Sequence, residues 1–181
     1  DQHAECAISA TETGQTLDVE GLLTFLGTGT SMGVPTLGCG CRVCTSPDPR
    51  DRRLRPSALV RWVEPATGRE RNIVIDTGPD FREQALRNGI RRVDAVFYTH
   101  GHADHILGMD DLRPLSFAAA REVGPIPLFA SPETTAILAK IFDYTFSPDA
   151  TYPNRARVQL QPLACNNLLY GVDFLPIPVR H

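Results

Sequence analysis

The chain has 181 residues, 42% hydrophobic and 22% charged, with a formal net charge of −3. These are the proportions of an ordinary globular domain, long enough to bury one core. No basic field argues for a nucleic-acid partner, no apolar run is long enough to span a membrane, and the polar start lacks the hydrophobic segment of an export signal. The cationic residues are almost all arginine, with Lys140 the single lysine. Arginine suits bidentate phosphate contacts, although genome composition explains so large an excess more simply.

Residues 1–20 read as a disordered leader, and residues 21–181 as one domain. Leu22–Leu26 is the opening strand. A long loop rich in Gly, Pro and Cys follows over 27–56, and a loop of that length is normally functional or tied down. It begins with Gly27-Thr28-Gly29-Thr30-Ser31, either a tight turn or a backbone cradle for phosphate. The lysine of a P-loop is missing from it, and G-x-G-x-x-G does not fit. Further on, Cys39, Cys41 and Cys44 form a C-x-C-x-x-C motif. Three thiols this close cannot all pair with one another, but they suit a tetrahedral thiolate site that lacks one ligand. The functional reading is a structural zinc pinning the loop; free thiols are the plain alternative. Cys6 and Cys165 are isolated and carry no metal role. Arg50, Arg52, Arg53 and Arg55 read as a solvated cluster.

Ser57–Val63 and Arg71–Ile75 flank Pro65-Ala66-Thr67-Gly68 and predict a hairpin. Asp76 stands at the end of its second strand, and Asp80 is placed to cap a helix over Phe81–Arg87 that Asn88-Gly89 stops. The strand Val93–Tyr98 leads straight into Thr99-His100-Gly101-His102-Ala103-Asp104-His105. Later elements are a helix from Ser131, as N-cap, to about Phe142, and strands at Arg157–Leu160 and Asp173–Val179. Leu138, Ile141 and Phe142 are expected to form the buried face of the helix. No internal repeat is visible.

The histidine loop carries the chemistry. Three of the five histidines and an aspartate fall within six positions, and neutral imidazole and carboxylate are the usual ligands of zinc and related divalent ions. In an extended loop, His100 and His102 project to one side and hold one ion together. Asp104 and His105 follow beyond a turn and suit a second ion. Two ions about 3.5–4 Å apart are the common arrangement for phosphate-ester hydrolysis. Asp76 at a strand end would accept a hydrogen bond from a ligand's other N–H and fix its tautomer; a turn or cap role is the alternative. Arg113, after Asp110 and Asp111, would either reach a substrate phosphate or pair with one of those carboxylates.

These residues resemble the metallo-β-lactamase superfamily, which carries a strand-end aspartate and a T-H-x-H-x-D-H loop. Four stretches resemble one branch in particular, the phosphoribosyl cyclic phosphate phosphodiesterases of carbon–phosphorus lyase (phosphonate degradation) pathways. They are Phe25–Pro35, the Gly38–Cys44 cysteine motif, the histidine loop through Arg113, and Leu175–His181. The resemblance covers roughly residues 22–181. It implies an α/β fold, an αββα sandwich truncated within its second half, and a cytoplasmic phosphodiesterase acting on a small cyclic phosphate ester through a hydroxide shared by two ions. It makes His181 the third ligand of the first ion, with zinc at the cysteines and manganese or zinc at the paired site. A bridging aspartate, a further histidine on the second ion and a histidine completing the cysteine site have no counterpart here. The expectation is therefore a piece of a longer protein of about 250 residues, holding its second ion weakly on its own. A homodimer is implied as well. A tRNA 3′-processing-type nuclease is the alternative within the fold, and a non-catalytic zinc-binding protein the alternative of another class.

Overall fold

In the computed structural model, which describes residues 19–179, six strands form one mixed sheet in the order β1-β2-β3-β4-β5-β6. They are β1 (Gly21–Gly27), β2 (Ser57–Val63), β3 (Glu70–Ile75), β4 (Ala95–Phe97), β5 (Ile126–Ala130) and β6 (Val158–Pro162). The first three pair antiparallel and β3 to β6 run parallel. Helices α1 (Phe81–Arg87), α2 (Ala103–Ile106), α3 (Arg113–Glu122), α4 (Pro132–Ile141) and α5 (Asp143–Phe146) lie in the crossovers. A separate hairpin of β7 (Asn167–Leu169) and β8 (Val172–Phe174) follows. Of the leader predicted over residues 1–20, the first 18 lie outside the described residues, as does His181.

Period-two alternation along the strands explains the layering. Leu59, Val74, Val96 and Leu128 join Phe81, Ala119 and Leu138 from α1, α3 and α4 in the larger core. The intervening residues Trp62, Ile73, Ala95 and Phe97 form a second cluster on which Tyr170, Val172 and Phe174 pack. Phe97 stacks between Phe129 and Phe174, with centroid separations of 4.8 and 4.9 Å. Arg71, buried beside this layer, is paired with Glu64 and Asp94 at 2.6 and 3.0 Å, so its charge is compensated where it leaves water.

Several expectations change. The strand expected over Val93–Tyr98 is shorter, because only Ala95–Phe97 pairs with β3, and only Val96 and Phe97 pair with β5 as well. Asp173–Val179 is not one strand: pairing ends at Phe174, where the hairpin ends. In α4, Ser131 caps Thr134 N as expected, and Leu138 and Phe142 are buried, but Ile141 is 44% exposed. Asp80 occupies the N-cap position of α1 without capping it. Its carboxylate instead accepts from Arg55, at the backbone N and at Nη1, both at 2.8 Å. Arg55 is thus an anchor of the long loop rather than a solvated cation. Gln84 in α1 holds the same point, donating from Nε2 to Arg55 O at 2.8 Å.

The glycine turn packs closely against the far end of the long loop. Gly29 N donates to Leu54 O at 2.7 Å. A Cβ at Gly27 or Gly29 would run into the backbone of residues 53–55.

Candidate metal centre

Parallel pairing brings the functional residues to one edge. Ile75 is opposite Phe97, and Phe97 opposite Phe129, so the chain leaving β3 and the chain leaving β4 emerge side by side at the carboxyl ends of the strands. Ligand sites of open α/β sheets form at that edge. Asp76 comes from the first chain and the histidine loop from the second.

Asp76 is 3% exposed and adopts a left-handed φ of 62°, a conformation that aspartate tolerates better than most residues. Its backbone is held on both sides: its N–H donates to Phe97 O at 2.9 Å, and Ser57 Oγ donates to its carbonyl at 2.8 Å. The carboxylate then accepts three hydrogen bonds. Thr99 N reaches Oδ1 at 2.8 Å, Thr99 Oγ1 reaches Oδ2 at 2.7 Å, and His105 Nδ1 reaches Oδ2 at 2.7 Å. Asp76 therefore orients the loop instead of capping a helix. Below it, Thr77 and Tyr98 share a buried hydrogen bond of 2.6 Å, and burial pushes the Tyr98 hydroxyl up, so it stays protonated.

The loop is also fixed backbone against backbone. Gly108 N donates to Thr77 O at 2.8 Å. A Cβ at Gly78 would overlap Asp104 O, and one at Gly108 would overlap Gly78 O. These two glycines and Thr99 were not singled out by their spacing. Their roles depend on contacts between segments that are distant in sequence.

The donors converge in pairs. His100 Nε2 and His102 Nδ1 lie 3.1 Å apart. Asp104 Oδ2 and His105 Nε2 lie 3.2 Å apart. Ligand atoms about 2.0–2.1 Å from a tetrahedral zinc ion are separated by about 3.3 Å, so each pair has the spacing of two ligands on one ion. With Nδ1 of His105 given to Asp76, its Nε2 is the nitrogen turned toward Asp104. The residue set thus fits divalent ions. The hydrogen bond and charge of Asp76, followed by the charge of Asp104, outweigh burial and hold His105 above its ordinary value. An ion binding there displaces a proton, so loading weakens in acid.

Cys39, Cys41 and Cys44 have donor atoms that all lie within 4.8 Å of one another. Thr36 N donates to Cys44 Sγ at 3.4 Å. The N–H of Cys44, then the Cys39 and Cys44 thiols, draw Cys41 down to about 7, so much of it is thiolate at neutral pH. Cys44 moves the other way. The Thr36 N–H favours its thiolate, but burial and the neighbouring thiols outweigh that donor and push it up. Cys165, read as isolated, is disulfide-bonded. Arg113 is occupied on the protein: Nη2 is 3.5 Å from Asp110 Oδ2, and Nη1 donates to Tyr152 Oη at 3.0 Å.

A mixed sheet carrying paired His and Asp side chains at its carboxyl edge is the α/β architecture of the metallo-β-lactamase fold. Residues 71–181 match the model of the beta-lactamase superfamily domain, and the chain belongs to that superfamily. The crystal structure of a new diphosphatase from the PhnP family is 48% identical, with a TM-score of 0.77 over 90% of this chain and 58% of that one. The Zn2+-bound PqqB from Methylobacterium extorquens is 26% identical, with a TM-score of 0.53 over 83% of this chain and 48% of that one. Coenzyme PQQ synthesis protein B from Methylobacterium nodulans is 32% identical over 111 residues, 55% of this chain and 37% of the relative. An octanoyltransferase from Porphyromonas gingivalis is 52% identical over 91 residues, half of this chain but 18% of that protein, too small a share for its name to bear on this chain. No helix among the described residues is long and apolar enough to cross a membrane.

Proposed function

We propose that this chain is the metal-bearing part of a hydrolase that cleaves a small phosphoric diester, with a cyclic phosphate ester as its substrate class and a homodimer as its assembly. The observation that carries this reading is the pair of donor separations, 3.1 Å for His100 with His102 and 3.2 Å for Asp104 with His105. Likeness to a diphosphatase of the PhnP family supports the phosphoryl chemistry. Two divalent ions, zinc or manganese, would supply Lewis acidity and lower the pKa of water, so that hydroxide is available to attack phosphorus near neutral pH.

This chain's residues do the rest. His100 and His102, joined by His181, hold the first ion, and Asp104 and His105 hold the second. Asp76 keeps the imidazole of His105 turned, so that no side chain has to reorganise when charge develops. No serine or cysteine need form a covalent intermediate, since water is the nucleophile. With Arg113 engaged by Asp110 and Tyr152, a contact with a substrate phosphate would require it to give up one of them.

Elemental analysis of the full chain tests the reading. It should find zinc plus one or two further ions per chain, and dialysis against chelator should abolish hydrolysis of bis(4-nitrophenyl) phosphate. Adding Zn2+ or Mn2+ should restore it. A metal-free preparation that keeps its turnover would refute the proposal, and release of orthophosphate from diphosphate alone would move the substrate class to anhydrides.

The cysteines are proposed to hold a structural zinc between strands β1 and β2. Replacing Cys41 with Ser should cost one zinc per chain and open residues 36–46 to limited proteolysis, while the ions of the histidine loop stay bound. Equal zinc content in that variant would argue for free thiols.

A further inference from the structure

The hydroxyl of Thr99 stands between a carboxylate and an imidazole. It is 2.7 Å from Asp76 Oδ2 and 3.0 Å from His100 Nδ1. An ionised carboxylate only accepts hydrogen bonds, so the single hydroxyl proton points to Asp76. What the oxygen then offers His100 is a lone pair, and Nδ1 of His100 must carry the proton that meets it. That tautomer places the ring's lone pair on His100 Nε2, the atom 3.1 Å from His102 Nδ1. His105 reaches the same Asp76 oxygen directly at 2.7 Å. The separation of its Nδ1 from the Thr99 hydroxyl is 3.4 Å, too long to compete.

We propose that Thr99 is a positioning residue that relays the Asp76 carboxylate to His100, so that one buried carboxylate sets the metal-binding tautomer in both donor pairs. The inference rests on the metal-site reading above. It makes the two pairs unequal in their dependence: His105 is set by Asp76 alone, and His100 by Asp76 through Thr99. Loss of the Thr99 hydroxyl therefore loosens one pair, while loss of the Asp76 carboxylate loosens both.

Thr99→Val is the informative variant. It keeps the branched shape, and its second methyl occupies the place of the hydroxyl, which prevents a water from standing in. Imidazole nitrogen NMR on the metal-free full chain near pH 8 reads the tautomer directly. Wild type should show His100 protonated at Nδ1, and Thr99→Val should shift it toward Nε2 protonation. In a Zn2+ titration against a competing chelator, followed by the same signals, affinity at His100 and His102 should fall about 10–100-fold. Affinity at His105 should change by less than about twofold, and Thr99→Ser should restore the wild-type pattern. An unchanged His100 tautomer, or an equal weakening at both pairs, would overturn the relay. If wild type takes up no Zn2+ at either pair, the hydrolase reading fails, and the metal-free tautomer still decides the role of Thr99.

Discussion

Replacing His102 with alanine should cut hydrolysis of bis(4-nitrophenyl) phosphate by about 10³-fold or more while leaving the melting temperature unchanged. The two halves of this expectation have separate grounds. Metal ions supply several kcal/mol of transition-state charge stabilisation, and about 4 kcal/mol corresponds to three decades in rate. His102 itself is exposed and stands in extended conformation just before α2, so removing its ring uncovers no core. Steady-state kinetics with thermal melting checks both halves. Turnover that survives would remove His102 from the site.

The second large effect is expected at Asp76, and there it should fall on the fold as well. Asp76→Ala leaves the N–H and hydroxyl of Thr99 and Nδ1 of His105 without their acceptor. It also places alanine at a left-handed φ of 62°. Each unsatisfied group costs about 1–3 kcal/mol, and removing one partner of a buried charged pair costs about 3–5 kcal/mol. Denaturant unfolding should show a loss of about 3–5 kcal/mol, and metal content at the histidine loop should fall at both pairs. Wild-type stability in this variant would mean that water replaces the carboxylate and that Asp76 organises nothing.

Much of this candidate centre was legible in the amino-acid order because its donor side chains are local. His100 to His105 lie within one loop, and the three cysteines within another, so spacing alone groups them. The antiparallel hairpin of β2 and β3 was equally plain, since alternating β-prone residues flank a Pro-Gly turn. Elements that depend on distant partners were harder to read. β5 carries Pro127 inside a paired strand, a residue that normally argues against an interior strand. α3 opens on Arg113-Pro114 without a side-chain cap. Asp80 looks like a cap until Arg55, from the far end of the long loop, takes its carboxylate. The Thr99 relay was hidden for a similar reason: its hydroxyl matters only once β3 and β4 are neighbours, and pairing is a property of the sheet.

The backbone contact between Gly78 and the histidine loop bears on how this domain can diversify. Because main chain rests on main chain there, the placement of the ligands owes little to the exposed side chains around them. Met32, Leu37 and the other surface residues of the long loop take no part in that contact, which is made by Gly78 with the backbone of Asp104. A lineage built on this frame is free to vary its exposed side chains while keeping the histidine loop in place, and the two glycines are the positions where such drift must stop.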